Sequence, residues 1–231
     1  MFRNISGWIS SLRADPLGTL IQILMMILAL FLSLILHEIG HGFAALKCGD
    51  PTAKMMGRLS LDPRKHLDPI GMLCMFFLGV GWARPVPINP RYFRNRNRDM
   101  ILVSFAGIFV NLILFLISTF LYVLLYRSYG QAVSYLKQFL LIMLSYNISL
   151  AVFNLIPVPP LDGYRLVNQI FFRGDLDRRM TFQTMQIIRI AFLFICMSGL
   201  LSGTLSSVCN FFMVRAANLF SGILNMGITF I

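Results

Sequence analysis

The sequence predicts an all-α polytopic membrane protein, and three observations lead to this fold class. The mean hydropathy of the 231 residues is +0.75. Apolar residues make up 57% of the chain and charged residues only 13%, whereas soluble domains carry about 25% charged residues. Several apolar runs reach the roughly 20 residues that a helix needs to cross a bilayer. We expect about five full transmembrane helices, a re-entrant apolar segment and short membrane-associated β-strands in a single domain, residues 1–231.

The N-terminal elements follow from the first apolar run. Residues 1–16 show no signal-peptide cleavage pattern and predict a short interfacial segment with Trp8 as its anchor. A first span is expected over residues 17–46. The polar stretch 47–68 follows, and its alternating pattern at 57–61 indicates a short strand.

The middle of the chain contains one short apolar run and two long ones. Residues 69–83 contain three glycines and are too few for an ordinary crossing. The basic, proline-rich segment 84–99 precedes a second span at 100–126. A third span is expected at 139–156, and the prolines at 157–160 predict a helix broken inside the protein.

Two further apolar runs, 187–208 and 211–231, predict two more spans after a polar segment that ends near residue 179. We therefore divide the single domain into a core at about 17–173 and C-terminal helices at about 180–231.

The excess of positive charge also has a membrane explanation. The net charge is +11, and most of the basic residues lie in loops beside apolar runs. Cytoplasmic loops of membrane proteins carry such a bias, so we do not expect nucleic acid binding. The four cysteines form no C-x-x-C pair and predict unpaired, packed thiols.

One motif carries the chemistry. Glu38 is the only glutamate in the chain, and it lies in His37-Glu38-Ile39-Gly40-His41, which contains two of the three histidines. On a helix, positions i and i+4 share a face, so both imidazoles can reach one metal ion. The neighbouring carboxylate can act as a general base toward water at that metal. Two packed histidines with a chance glutamate are the alternative, which the expense of intramembrane ionisable groups disfavours.

A catalytic zinc normally takes three protein ligands, so a third must lie elsewhere in the chain. Asp162 is the strongest candidate, because it follows the third span and the proline break, where burial is costly for an unpaired carboxylate. Asp62, Asp68 and His66 remain alternatives.

These residues resemble the signatures of the site-2 proteases, which are intramembrane zinc metalloproteases. Residues 37–42 match H-E-x-x-H-G, and residues 154–163 match N-x-x-P-x-P-x-L-D-G. Segments 57–63, 66–71 and 81–89 are similar to the minimal branch of that family, which lacks PDZ and CBS domains. The resemblance covers about residues 30–170.

The resemblance implies one Zn²⁺ per chain, with His37, His41 and Asp162 as ligands and Glu38 as the catalytic base. It also implies that Asn154 positions the substrate or polarises its carbonyl, although a helix–helix hydrogen bond is the alternative for this side chain. Two positions depart from the family pattern: Ile108 replaces a common proline, and Tyr164 replaces a common glycine.

The function implied is regulated intramembrane proteolysis, in which activated water hydrolyses peptide bonds in or near transmembrane segments of protein substrates. A substrate helix must unwind to expose its carbonyl, and a strand edge at 54–62 or 84–89 could bind it. A catalytically silent membrane adaptor and a metal transporter are the alternatives. The intact ligand set disfavours the adaptor, and a single ligand cluster disfavours the transporter.

Membrane topology follows from the requirement that the ligands meet. The ends of the first and third spans must face one side, so residues 69–83 should dip into the membrane and return. That side then holds 14 of the 20 basic residues, which makes it cytoplasmic in a prokaryotic cytoplasmic membrane. These residues are Lys47, Lys54, Arg58, Arg64, Lys65, Arg84, Arg91, Arg94, Arg96, Arg98, Arg165, Arg173, Arg178 and Arg179.

Overall fold

A computed structural model describes residues 5–66, 68, 70–71 and 84–230. Within these ranges the chain forms α-helices joined by turns and contains no strand. The helices are α1 (Ile5–Ala14), α2 (Pro16–Lys47), α3 (Thr52–Met55), α4 (Pro63–His66), a 3₁₀ turn (Pro90–Tyr92), α5 (Arg96–Leu124), α6 (Gln131–Asn154), α7 (Asp162–Phe172), α8 (Asp175–Arg179), α9 (Phe182–Ser198) and α10 (Ser202–Ile223).

Helix α2 begins and ends at residues suited to those positions. The Asp15 carboxylate caps its first turn by accepting a hydrogen bond of 2.9 Å from the amide of Gly18, and Pro16 occupies the first helical position. The helix ends before Gly49, whose φ of 107° is a conformation that glycine adopts readily. At 32 residues it is roughly 48 Å long, enough to cross a bilayer.

Helix α5 is the centre of the bundle, and it packs against α2, α6, α7 and α10. Phe115 of α5 packs with Leu144 and Ile148 of α6 and with Cys209 and Ala216 of α10. A second cluster joins Ile108, Ala151 and Leu166, and therefore α5, α6 and α7. Ile108 is fully buried there, which gives this departure from the family pattern a packing role.

Three of the predicted spans are confirmed. The helices α2, α5 and α6 are each long and apolar enough to cross a membrane. Helix α5 begins four residues earlier than predicted and α6 eight residues earlier, because polar residues such as Arg96 and Gln131 also join the helices.

The C-terminal helices differ in number and bounds from the predicted spans. Instead of spans at 187–208 and 211–231, the chain forms α9 and α10, which are bent by 76° at a break between Ser198 and Ser202. Gly199 ends α9 with a φ of 79°. The break is apolar, so hydropathy does not reveal it. The described residues therefore provide three spans, or four if this bent pair is one span, and the expected five are not confirmed.

The strands expected at 57–61 and at the edges 54–62 and 84–89 are not present among the described residues. The backbone carbonyls of Arg84 and Pro85 accept hydrogen bonds of 2.6 and 3.0 Å from the guanidinium of Arg58. A side chain therefore occupies acceptors that a neighbouring strand would use.

The predicted re-entrant segment 69–83 and the membrane anchor at Trp8 fall largely outside the described residues, but the flanks of the former are informative. The amide of Arg84 donates to the carbonyl of His66 at 2.7 Å. Similarly, the amide of Arg94 donates to the carbonyl of Cys48 at 3.3 Å. The connection from α2 to α5 therefore leaves and returns at the same end of the bundle.

This arrangement predicts that single cysteines at Lys54 and Asn97, both exposed, react with an impermeant thiol reagent from the same side of the membrane. The background is a variant without the native cysteines. Tyr129, which is 90% exposed between α5 and α6, provides the control and should react from the opposite side. Labelling of positions 54 and 97 from opposite sides would contradict the topology.

Candidate metal centre

Two imidazoles lie on one face of α2, as the H-E-x-x-H spacing predicts. His37 and His41 are 6% and 4% exposed, and their ring centroids are 4.6 Å apart in an edge-to-face arrangement. They lie in the C-terminal third of α2, near the end of the bundle where α5 begins.

Asp162 reaches the same site from α7. It is the first residue of α7, and it follows the irregular segment 155–161 after α6. A Cβ at Gly163 would overlap the backbone of Leu155 and come within 2.6 Å of the carbonyl oxygen of Ile156. Glycine after Asp162 therefore allows the chain to fold back tightly and begin α7 at the carboxylate.

The three side chains bring one donor atom each to a single point. Nε2 of His41 lies 3.0 Å from Nε2 of His37 and 3.0 Å from Oδ2 of Asp162, and Nε2 of His37 lies 3.2 Å from Oδ2. Tetrahedral zinc with ligand bonds of about 2.0–2.1 Å has donors roughly 3.3 Å apart. Two imidazoles and one carboxylate are also a donor set of catalytic zinc sites, so these residues fit the ion.

A carboxylate must be ionised to bind a metal, and the surroundings of Asp162 favour that form. Burial by itself raises the pKa of this carboxyl, but hydrogen bonds from His37 and His41 outweigh burial, and the pKa lies below its ordinary value. Its second oxygen, Oδ1, lies 4.0 Å from Nη1 of Arg165.

The orientation of His41 is set by a backbone group of α5. The distance from Nδ1 of His41 to the buried carbonyl oxygen of Val103 is 2.7 Å. Since a carbonyl only accepts, Nδ1 carries a proton, and a metal ion can therefore be bound by His41 only through Nε2. Sequence reasoning did not find this contact, because a backbone carbonyl leaves no residue signature.

Both imidazoles pack against Gly107 of α5. A Cβ at this position would be 2.7 Å from Nε2 of His37 and closer still to Nε2 of His41. Any other residue would therefore occupy the space of the donor atoms. The small residues Ala106 and Gly107 are the sequence signal for this contact, because small residues let membrane helices approach closely.

Glu38 is held by the extended segment 84–89. The amide of Val86 donates a hydrogen bond of 2.9 Å to Oε2 of Glu38. The segment is fixed at both ends, by Arg58 on the carbonyls of Arg84 and Pro85 and by the buried Asp50, whose Oδ2 accepts from the amide of Asn89 at 2.6 Å. Burial lowers the pKa of Arg58, and the charge of Glu38 opposes this effect.

Asp50 and Arg58 are site-supporting residues that sequence reasoning missed. Both are buried, at 0% and 9% exposure, although they lie in a polar stretch. The local sequence does not predict this burial, because the backbone groups that they bind are about 26 to 39 residues away in the chain.

Asn154 lies at the end of α6, and its side chain donates back to the carbonyl of Leu150 at 3.0 Å. No hydrogen bond in the described part of the chain joins it to the three candidate ligands.

The alternative third ligands lie apart from this cluster. Asp62 and Asp68 each cap local backbone amides, those of Arg64 and of Ile70 and Gly71. His66 lies in the polar stretch 47–68 but is fully buried, and its Nε2 lies 2.7 Å from the carbonyl oxygen of Ser60.

Tyr164, the second departure from the family pattern, ties α7 to α8. Its hydroxyl donates a hydrogen bond of 2.8 Å to Oδ1 of Asp177. Burial, followed by this carboxylate, raises the pKa of Tyr164 to about 12, so the phenol stays protonated and remains a donor at neutral pH. The substitution therefore supports the helix that presents Asp162.

Comparison with known proteins shows the family to which the chain belongs. A sequence model of Peptidase family M50 matches residues 25–135 and 125–197. The chain is 44% identical over 150 residues to "Putative zinc metalloprotease YwhC" of Bacillus subtilis (strain 168), covering 63% of this chain and 68% of that protein. No solved structure matches it.

More distant relatives carry the same kind of name. "Putative zinc metalloprotease Rip2" of Mycobacterium tuberculosis (strain H37Rv) is 33% identical over 163 residues. Rip2 of Mycolicibacterium smegmatis is 28% identical over 164 residues. Each alignment covers 68% of this chain and 61% of the Rip2 protein.

The fold and site define an integral, multi-pass membrane metalloprotease whose cofactor is Zn²⁺. The chain belongs to Peptidase family M50, the site-2 proteases.

The geometry predicts that Asp162 completes the site. Asp162→Ala should lower zinc affinity, because two imidazoles remain without the third donor. Asp62→Ala and Asp68→Ala are the matched controls and should keep one zinc per chain, measured by elemental analysis of purified protein. Loss of zinc in Asp68→Ala but not in Asp162→Ala would show that the third ligand is wrong.

Gly107→Ala should weaken zinc binding by roughly tenfold or more, because the added methyl group enters the space of the donor atoms. Gly203→Ala is the control, since a Cβ there meets no atom within 4 Å. Competition with a zinc chelator measures both variants. Equal affinities would contradict the proposed contact between α5 and the ligands.

Proposed function

We propose that this protein is an intramembrane zinc metalloprotease that hydrolyses peptide bonds in or near transmembrane segments of membrane-protein substrates. The observation that carries the proposal is the convergence of His37, His41 and Asp162, all buried, beside the only glutamate of the chain. Buried ionisable groups are expensive in a membrane protein and mark functional sites.

In this proposal, His37, His41 and Asp162 hold the zinc ion. When bound, Zn²⁺ supplies Lewis-acid polarisation of a carbonyl and a lowered pKa for water, which allows hydrolysis at neutral pH. The three protein donors leave room for a further ligand, as catalytic zinc sites do.

Glu38 is the general base. It lies three residues before His41, so the two side chains share a face of α2. Its Oε2 accepts from the amide of Val86, which fixes the carboxylate and leaves Oε1 for a proton. Glu38 takes a proton from the attacking water and delivers it to the leaving amine. General acid–base catalysis of this kind raises the reaction rate by about 10²- to 10⁴-fold.

Asn154 is the substrate-positioning residue in this proposal. It is partly exposed at the end of α6, eight positions before Asp162, where the chain breaks before α7. Its amide donates to the carbonyl of Leu150, a contact that it can exchange for a substrate carbonyl without leaving the helix end.

A cleft of about 250 Å³ beside the site can receive an unwound substrate. Val86 and Ile88 line one side of this cleft, and Arg165, Asn168 and Gln169 line another. Val86 bonds to Glu38 and Arg165 lies near Asp162, so the cleft adjoins the chemistry.

A larger cleft, of about 490 Å³, lies at the other end of α2 and is lined by residues such as Asp15 and Gln22. From Gln22 to His37 the helix rises roughly 22 Å. The larger cleft is therefore remote from the donor atoms, and it offers no cluster of metal ligands in the described part of the chain.

The two alternative functions fit the site less well. A catalytically silent adaptor would not need three donors converging beside a carboxylate. A transporter would need ligands on a path open to both sides, whereas the described residues hold a single cluster near one end of the bundle.

The orientation of the active site toward the cytoplasm is also part of the proposal. The ligands lie at the end of the bundle where α2 ends and α5 begins. The loops at that end carry 14 of the 20 basic residues, and such an excess marks the cytoplasmic side. Lipid and transmembrane protein substrates are the expected partners.

Glu38→Gln should abolish cleavage of a single-span substrate and keep zinc, because the base is lost while the three donors remain. His37→Ala and His41→Ala should lose both zinc and activity. The assay is cleavage in proteoliposomes, with zinc content measured on the same samples. Full activity of Glu38→Gln would rule out the hydrolytic mechanism, and one zinc retained in both histidine variants would place the metal elsewhere.

A further inference from the structure

Three polar side chains lie fully buried inside the bundle, away from the ligand atoms. They are Ser33 of α2, Asn111 of α5 and Asn147 of α6, each with 0% exposure. Neither amide atom of Asn111 has a hydrogen-bonding partner among the residues that the structure describes, and the same is true of Oδ1 of Asn147. A buried amide without a partner is strongly unfavourable, so these atoms indicate a polar occupant.

The contacts between α2 and α5 place Asn111 one turn below the metal site. His41 contacts Val103, and His37 contacts Gly107. The two helices are antiparallel. Moving four residues back along α2 therefore corresponds to moving four residues forward along α5. Ser33 is therefore opposite Asn111, roughly 5–6 Å deeper than His37 and Gly107.

The contacts between α5 and α6 bring Asn147 to the same place. Ile108 packs with Ala151, and Phe115 packs with Leu144 and Ile148. Asn111, halfway between Ile108 and Phe115, is therefore level with Asn147 and Ile148. In agreement, Nδ2 of Asn147 donates to Oγ of Ser33 at 2.9 Å.

The two histidines differ in what holds them. Nδ1 of His41 donates to the carbonyl of Val103, whereas the buried Nδ1 of His37 has no partner in the described ranges. A histidine that binds metal through Nε2 carries its proton on Nδ1, and that proton is almost always given to an acceptor. Besides the hydroxyl of Ser104, the unpartnered acceptors nearest in helix register are those of Asn111 and Asn147.

We propose that a buried water molecule one turn below the metal site joins His37 to Asn111 and Asn147. It accepts the Nδ1 proton of His37 and is held by the amides of Asn111 and Asn147. Buried waters make about three such bonds. Asn111 is then a positioning residue that fixes the tautomer and orientation of His37. The inference rests on the proposed role of His37 as a zinc ligand.

The test compares Asn111→Leu, which has nearly the same shape but no polar atoms, with Thr119→Val. Thr119 is a buried residue two turns farther along α5, whose hydroxyl donates to the carbonyl of Phe115. Asn111→Leu should weaken zinc binding about 10- to 100-fold, the usual effect of losing a residue that orients a metal ligand. Thr119→Val should leave it unchanged, and Asn111→Ser should recover part of the affinity.

Zinc affinity is measured by competition with a chelator, and thermal unfolding of the zinc-free proteins shows whether each variant is folded. If Asn111 has only a packing role, Asn111→Leu should bind zinc with normal affinity, and that result would overturn the inference. If His37→Ala keeps zinc, the proposed metal site itself fails. If His37→Ala loses zinc and Asn111→Leu does not, only the role of Asn111 is wrong.

A high-resolution structure of the unmodified zinc-loaded protein decides the matter if Asn111→Leu does not fold. A water within hydrogen-bonding distance of both Nδ1 of His37 and the amide of Asn111 supports the inference. A direct bond from Asn111 to another protein group, including one from residues 72–83, would overturn it, as would the absence of that water.

Discussion

The contact between α2 and α5 is the constraint on which the rest of the structure depends. The protein must hold two imidazoles and a carboxylate inside an apolar bundle, where an unpaired charge is costly. Gly107 leaves the space in which both imidazoles fit, and the carbonyl of Val103 fixes one of them. The same central helix packs against α7 through Ile108 and Leu166, and so Asp162 arrives at that point as well. A small residue and a backbone carbonyl on one helix therefore decide where these three donor groups meet.

A second group of interactions connects this centre to the polar end of the bundle. Asp50 and Arg58 are buried and bind the backbone of the extended segment 84–89, and Val86 of that segment binds Glu38. The position of Glu38 is therefore coupled to the segment that lines the cleft of about 250 Å³. Truncation of Asp50 or Arg58 would leave buried polar groups without partners, and we expect it to disturb both Glu38 and the cleft.

Much of this organisation could be predicted from the sequence, and the exceptions have physical causes. The i, i+4 spacing of His37 and His41 and the broken helix before Asp162 are local patterns, and both were predicted. The C-terminal spans were misplaced because Gly199 ends a helix inside an apolar run, where hydropathy does not change. Strands were expected at 57–61 from alternation alone, but the side chain of Arg58 binds the carbonyls of 84–85 instead. The burial of His66 depends on tertiary packing that a polar stretch does not reveal.

The most direct test of the account is the location of the metal itself. Anomalous scattering from crystals of the zinc-loaded protein, measured above and below the zinc absorption edge, identifies the ion without reference to activity. One site per chain is expected, about 2.0–2.2 Å from Nε2 of His37, Nε2 of His41 and Oδ2 of Asp162. A peak that lacks any of these three ligands, or a peak beside a cysteine sulfur at about 2.3 Å, would contradict this set of ligands.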